Sequence, residues 1–299
     1  MLATSHHLFA QVMKRKRLAH HNHEIHVLAR DIDNWLPTGI QSLMVGDYDP
    51  RHLKRHYFQD DVVDQLHLSD RIFQHVLLKE LKSTFPAVMN PHCFHVQGPM
   101  GVKRATQRIR EVLKAKKPRY VIRADIKSFY RSIPHYKLIQ DIQREYDDPK
   151  VQAMLERIIR NPLDTGRGYR NPDSGIALRG PLSQFFSAIY LKPLDEAFNQ
   201  TEVTYLRYQD DILILCQTKR QFHRSRRRMM NVLQERKLSL SRKKSRMGEI
   251  TSGFHFLGVD YLGTQPRGNT EVGSVRNAKV QSTEVDHILS TGGVKKTTH

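Results

Sequence analysis

The stretch TYLRYQDDILILC, residues 204–216, sets two short apolar runs on either side of Gln209-Asp210-Asp211. That is the pattern of a β-hairpin with a tight turn, and its carboxylates project from the turn. A turn acid ordinarily caps backbone groups, and the chain carries two further pairs, Asp147-Asp148 before Pro149 and Asp60-Asp61 within Phe58–Val63. Company distinguishes the 210–211 pair. Residues 119–126, RYVIRADI, read as a buried strand that brings Asp125 to its end. Neighbouring strands with acids at adjacent ends bring three carboxylates together, where they repel and raise one another's pKa unless a divalent cation neutralises them. Oxygen-only ligands favour Mg²⁺ or Mn²⁺, and two such ions roughly 4 Å apart form the clamp used for in-line phosphoryl transfer.

The chain of 299 residues is 38% hydrophobic and carries a formal charge of +19, from 49 Lys and Arg against 30 Asp and Glu. Most of that excess is local. Residues 103–119 contribute +7 and residues 212–250 contribute +10, which points to a polyanionic partner, with nucleic acid foremost. No apolar run approaches the length of a membrane span, and the N-terminus lacks the apolar stretch of a signal peptide, so a cytoplasmic chain without a membrane partner is expected. Cys93 and Cys216 support neither a disulfide framework nor a zinc site, and His20, His21, His23 and His26 lack the spacing to gather ligands on one helix face.

Periodicity predicts basic helices over residues 1–46, closing at Trp35-Leu36-Pro37 with Gly39 and Gly46 beyond. Further helices are predicted at 70–85, 101–115, 135–146, 150–160, 183–198 and 218–237. A loop is expected at 161–182, with short strands near 238–241 and 253–262. From residue 263 the composition turns to Gly, Ser, Thr and Lys, as in a loosely ordered tail.

Taken in order, Ala124-Asp125-Ile126-Lys127-Ser128-Phe129-Tyr130, Gly180-Pro181-Leu182-Ser183-Gln184 and Tyr208-Gln209-Asp210-Asp211 resemble the palm of a reverse transcriptase. Ser69-Asp70-Arg71-Ile72-Phe73-Gln74-His75 resembles a fingers segment of that family. Leu238–Ser245 resembles its Leu-x-Leu-Asn-x-x-Lys-Thr element, and Gly253-Phe254-His255-Phe256-Leu257-Gly258 its primer-grip hairpin. SQFFSAIYLKPLD, residues 183–195, is most similar to the enzymes of bacterial retroelements, including diversity-generating retroelements, group II introns and defence-associated systems.

The resemblance implies an α+β right-hand polymerase fold with fingers and palm and with a short or absent thumb. It divides the chain into a basic helical extension (1–44), fingers (45–118), a first palm strand (119–130), a fingers/palm insertion (131–182), palm (183–262) and a flexible tail or vestigial thumb (263–299). The implied activity is RNA-templated DNA synthesis from dNTPs onto a 3′-hydroxyl, with two Mg²⁺ ions, or Mn²⁺ in their place. Asp125, Asp210 and Asp211 would bind the metals, helped by the backbone carbonyl of Ile126, and Lys244 would be the general acid for pyrophosphate. Tyr130 would exclude a 2′-hydroxyl, while Gly180, Ser183 and Gln184 would border the nucleotide pocket. Lys103, Arg104, Arg108, Gly253 and Phe254, with the basic run at 212–250, would hold an RNA template and a DNA or RNA primer.

The chain departs from the family pattern at several positions. Gln209 stands where Ala or Met is usual, and Ala177 and Arg179 replace a Pro and a Gly. The finger hairpin presents Asp60-Asp61 where Lys or Arg usually meets the triphosphate, so Arg71, Arg55 or Lys54 is expected to take that role, or the substrate is unusual. Fewer than forty residues follow the primer-grip hairpin, so a non-coding RNA or accessory protein is expected to replace the thumb. Two rival readings are a restricted or template-independent DNA polymerase of the same fold and a catalytically silent RNA-binding subunit.

Overall fold

The structure, a computed structural model, describes residues 1–57, 62–96, 98, 100–177 and 180–261. Asp60, Asp61, Arg179 and the tail expected at 263–299 lie outside the described residues. Three helices lead: α1 (Leu2–Arg15), α2 (Glu24–Arg30), whose first turn is capped by the ring of His23, and α3 (Ile32–Val45). The predicted stop at Trp35–Pro37 does not occur. Pro37 sits inside α3 and forfeits one backbone hydrogen bond, but Leu36, Ile40 and Leu43 are all buried by continuing the helix, and burial of three such side chains outweighs that loss. The helix ends instead at Gly46, where φ is +85°. Gly39 therefore lies within α3, close beneath Phe73, whose ring meets Trp35 and Tyr48 edge-on at 5.6 and 5.8 Å.

A small sheet follows. Strands β1 (Leu53–Tyr57) and β2 (Val62–Gln65) form an antiparallel pair, and β4 (Leu163–Asp164) and β5 (Tyr169–Arg170) extend it in the order β2-β1-β4-β5. The loop expected at 161–182 thus supplies two short strands, anchored where Leu163 packs with Leu53 and Leu66. Helix α4 (Leu68–Leu81) stops short of the predicted Phe85, and a 3₁₀ turn leads into α5 (Phe85–Val88).

The remaining elements build one central layer. In chain order they are α6 (Gly101–Lys116), β3 (Tyr120–Asp125), α7 (Phe129–Ser132), α8 (His135–Glu145), α9 (Pro149–Ile159), α10 (Ser183–Tyr190), α11 (Lys192–Glu196), β6 (Thr204–Tyr208), β7 (Asp211–Cys216), α12 (Lys219–Glu235), β8 (Arg246–Glu249), β9 (Phe254–Phe256) and β10 (Val259–Tyr261). The helix predicted over 183–198 breaks at Leu191 because Pro193, in the first turn of α11, has no N–H to continue the ladder. The strand predicted at 238–241 shrinks to one bridge between Leu240 and Ile126. Its place at the sheet edge is taken by β8, whose sequence RMGE has no strand-like alternation.

The central sheet runs β6-β7-β3-β8, antiparallel throughout. Its register is continuous, so successive residues point to opposite faces. Ile122, Ala124, Ile212 and Ile214 join a core with α10 and α12. Val121, Leu206, Leu213 and Leu215 join a second core with α6 and the β9–β10 hairpin. Asp125 and Asp211, in step with Val121 and Leu213, belong to the α6 face.

A Cβ on Gly39 would lie 2.0 Å from Cζ of Phe73. Gly39→Ala gains helix propensity of about 1 kcal/mol but overpacks the ring cluster, so a net loss of about 1–2 kcal/mol is expected. The urea midpoint checks this, and in a Phe73→Leu background the same substitution should become neutral or stabilising.

Candidate active site

Strands β6 and β7 are joined by two residues, Gln209 and Asp210, with Tyr208 paired opposite Asp211. Gln209 takes φ +53°, a left-handed conformation uncommon outside glycine. One strand over, Asp125 is the register partner of Asp211. Two carboxylates thus face each other across a strand pair, and a third stands in the adjoining turn. Burial raises the Asp210 pKa to about 6, the charges of Asp211 and Asp125 pushing in the same direction. Asp211 is raised as well, by burial first and then by Asp125, against the opposing pull of Arg123, Lys244 and His255.

Lys244 reaches this edge from a segment stitched to the end of β3. The N–H of Lys127 donates to the Ser239 carbonyl and that of Ser241 to the Asp125 carbonyl, both at 2.8 Å, on either side of buried Ile126. The Asp125 N–H donates to Oγ of Ser245 at 3.2 Å, and the Arg123 guanidinium donates to the Lys244 carbonyl at 3.1 Å. The Lys244 ammonium then lies 3.7 Å from Oδ1 of Asp125, with its side chain 70% exposed. Three mutually repelling oxygen donors have the chemistry of a hard-cation site. Among the described residues, however, no three or more His, Cys, Asp or Glu side chains are gathered so that they could hold a metal ion as they stand.

The strained turn is held by groups that the sequence reading passed over. Arg207 is wholly buried and donates to both oxygens of Asp195, at 2.7 and 2.5 Å, and to the Gln209 carbonyl at 2.9 Å. The Tyr205 hydroxyl donates to the same Asp195 at 2.7 Å. From the other side, the Gln209 N–H donates to Nδ1 of His95 at 3.0 Å. Burial lowers the His95 pKa to about 3, so the ring is neutral and Nδ1 can accept while Nε2 donates to the Gln184 carbonyl, 3.0 Å away. The available signal was a charged residue inside each of two apolar runs, Arg207 in TYLRY and Asp195 in SQFFSAIYLKPLD.

Other expected site residues are placed as follows. Tyr130, in α7, has its ring against Phe129 at 5.2 Å, and its carbonyl accepts from the Ile176 N–H at 2.9 Å. Lys103, Arg104 and Arg108 are exposed on α6, on the carboxylate face. Gly180 is hemmed in by its own loop, since a Cβ there would lie 3.1 Å from Oγ of Ser183 and 3.2 Å from the Ala177 carbonyl. Ser183 is buried and donates to that same carbonyl; both residues thus shape the loop, and Gln184 meets His95 through its backbone.

Three further residues have partners within the fold. Arg71, in α4, lies within electrostatic reach of Lys16 and His75. Arg55 is engaged by Asp64 through two hydrogen bonds of 2.7 and 2.9 Å across β1 and β2. Phe254 is buried, its ring stacked on Tyr261 at 4.9 Å, so only its backbone and that of Gly253, at φ +69°, remain for contact with a nucleic acid. The basic run at 212–250 is also divided, because α12 packs on the sheet face opposite Asp125 and Asp211.

Solved structures share this architecture. Apo telomerase from Candida tropicalis superposes with a TM-score of 0.54 at 12% identity, over 77% of this chain and 51% of that one. Telomerase from Candida albicans, in complex with a TWJ fragment of telomeric RNA, gives 0.51 at 10% identity, over 79% and 48%. The fold is the α+β right-hand polymerase fold, with fingers and palm. Residues 62–261 match the family described as reverse transcriptase (RNA-dependent DNA polymerase), and the chain belongs to that family. Protein YkfC of Escherichia coli (strain K12) is 23% identical over 230 residues, which is 64% of this chain and 60% of that protein. The chain thus spans between about half and 60% of the length of these relatives.

Asp210 holds a proton to about pH 6 in the folded chain but only to about pH 4 when unfolded. The folded state binds more protons in that window, so this residue's contribution to stability falls as pH rises through it. With a chelator present, Asp210→Asn should match the wild type near pH 4 and exceed it at pH 7.5; urea midpoints against pH check this, and parallel curves would refute it.

Proposed function

We propose that this chain is an RNA-directed DNA polymerase, a nucleotidyltransferase that extends the 3′-hydroxyl of a DNA or RNA primer with deoxynucleotides along an RNA template. The observation that carries the reading is the register pairing of Asp125 with Asp211, with Asp210 in the turn beside them. In this reading Asp125, Asp210 and Asp211, with the Ile126 carbonyl, hold two magnesium ions, for which manganese can substitute. When bound, such ions neutralise the triphosphate and lower the pKa of the attacking hydroxyl.

The chain's own groups do the positioning. The His95 and Arg207 bonds to Gln209 hold the Asp210 backbone against the repulsion of its neighbours, which preorganises the site. Lys244, beside Asp125 and open to solvent, donates the proton that the departing pyrophosphate needs. Tyr130 lies five residues beyond Asp125 and closes the space that a 2′-hydroxyl would occupy. The Gly180–Gln184 loop walls the nucleotide pocket, while Lys103, Arg104 and Arg108 meet template or primer phosphates on the carboxylate face. Residues 45–118 and 131–182 act as fingers and 119–130 and 183–262 as palm.

The setting we infer is a bacterial retroelement or antiphage defence system in the cytoplasm, with a non-coding RNA or accessory protein adding grip on the primer–template. The likeness to a bacterial protein supports it, as does the absence, among the described residues, of any helix long and apolar enough to cross a membrane.

Primer extension on matched RNA and DNA templates, with dNTPs or NTPs, tests the activity. The expected result is divalent-metal-dependent DNA synthesis on RNA, lost by at least 100-fold in Asp210→Asn, as for removal of a group acting in the transition state, with RNA affinity equal or higher. Tyr130→Ala should raise ribonucleotide incorporation roughly tenfold or more. An untemplated repeat as product, or no extension on any primed template, would overturn the assignment.

A further inference from the structure

Helix α12 reads KRQFHRSRRRMMNVLQE, and its charges are distributed against its own stability. A helix gains from acids in the first turn and bases in the last. Here Lys219 and Arg220 open it, no acid stands in the first turn, no base stands in the last, and the one acid of the helix, Glu235, closes it. Arg220–Arg224 and Arg224–Arg227 are like-charged neighbours at i,i+4 and i,i+3 spacing, each mildly destabilising. The apolar stripe of Phe222, Met229 and Leu233 together with a capping box at Thr218 keeps the helix in place, and neither requires arginines on the outer face.

Lys219, Arg220, Arg224, Arg226 and Arg227 are all exposed, and among the described residues none of them has an ion-pair partner. The nearby acid Glu202 is bonded by Gln221. Arg228, by contrast, is drawn inward to the Ala197 carbonyl at 2.8 Å and over the Phe198 ring. Residues 262–299 carry five bases and three acids, so they offer no net counter-charge. The ridge also points away from the carboxylates, because α12 packs on the Ile122–Ile214 side of the sheet while Asp125 and Asp211 belong to the α6 side.

We infer that the outer face of α12 is a docking surface for a structured RNA, separate from the primer–template path. Arg220, Arg224 and Arg227 form a row about 10 Å long at 1.5 Å per residue, and guanidinium groups pair with phosphates bidentately. A membrane surface is the poorer fit, because the apolar stripe that would enter lipid is buried against the sheet. The choice of RNA rests on the polymerase reading; the existence of a polyanion site does not.

The test is the triple variant Arg220→Gln, Arg224→Gln and Arg227→Gln in the full chain, with circular dichroism to show that the helix is kept. Binding of a labelled RNA hairpin is followed by fluorescence anisotropy across a salt series, beside extension of a short DNA primer on an RNA oligonucleotide. The expected result is RNA-hairpin affinity reduced roughly tenfold or more and a log–log salt slope shallower by about 2–3, with kcat/KM for the short substrate unchanged. Unchanged affinity and slope would reduce the ridge to a solvated surface, and a matching fall in extension would assign it to the primer–template path. Stronger competition by an acidic peptide or by anionic vesicles than by RNA would refute the RNA assignment. If the wild type extends no primer but the variant still loses the hairpin, the polymerase reading fails and the docking surface stands.

Discussion

The buried ion pair between Asp195 and Arg207 governs the geometry of the whole site. Both side chains are fully excluded from solvent, where removing either partner would strand a charge at a cost of about 3–5 kcal/mol. That penalty makes the arrangement all or none. While the pair stands, the guanidinium has a third hydrogen bond to give, and it goes to the Gln209 carbonyl. A non-glycine residue with left-handed backbone is thereby held between an arginine on one side and a neutral histidine on the other. The carboxylate of Asp210 follows from where that turn is fixed. Asp195 itself reaches Arg207 because the chain breaks at Leu191 and restarts as α11, so a proline-induced interruption sets the position of the β6–β7 hairpin.

Much of this was legible in the sequence wherever the determining forces are local. The strands around Asp125 and Asp210 announced themselves through apolar runs ending in acids, and α4, α6, α8, α9 and α12 through their periodicity. What escaped was decided by tertiary partners. Strand β8 has the composition of a loop and is a strand because β3 offers it an open edge. Helix α3 runs through Pro37 because three buried side chains outweigh one missing hydrogen bond. Strands β4 and β5 exist because Leu163 finds Leu53 and Leu66.

The site divides in the same way. The three aspartates are visible as residue types at strand ends, whereas His95, Asp195 and Arg207 act through atoms brought together from three separate segments. In the folded chain Arg71 is half-buried and the Phe254 ring is buried, which a linear reading does not reveal. The basic run after the hairpin looks like one feature, yet the pleat of the sheet places α12 on the face opposite the carboxylates. Counting charges along the chain could not reveal that division, because it depends on which side of a β-layer each helix covers.

The antiparallel alignment of β3 with β7 carries a further consequence for how the molecule matures. A slip of a single residue would turn Asp125 toward the hydrocarbon packed beneath α12 and exchange Val121 and its companions for the residues of the opposite core. A misaligned pairing is therefore penalised by a carboxylate driven into oil. The aspartates at the strand ends thus also disfavour pairings in which they would fail to meet.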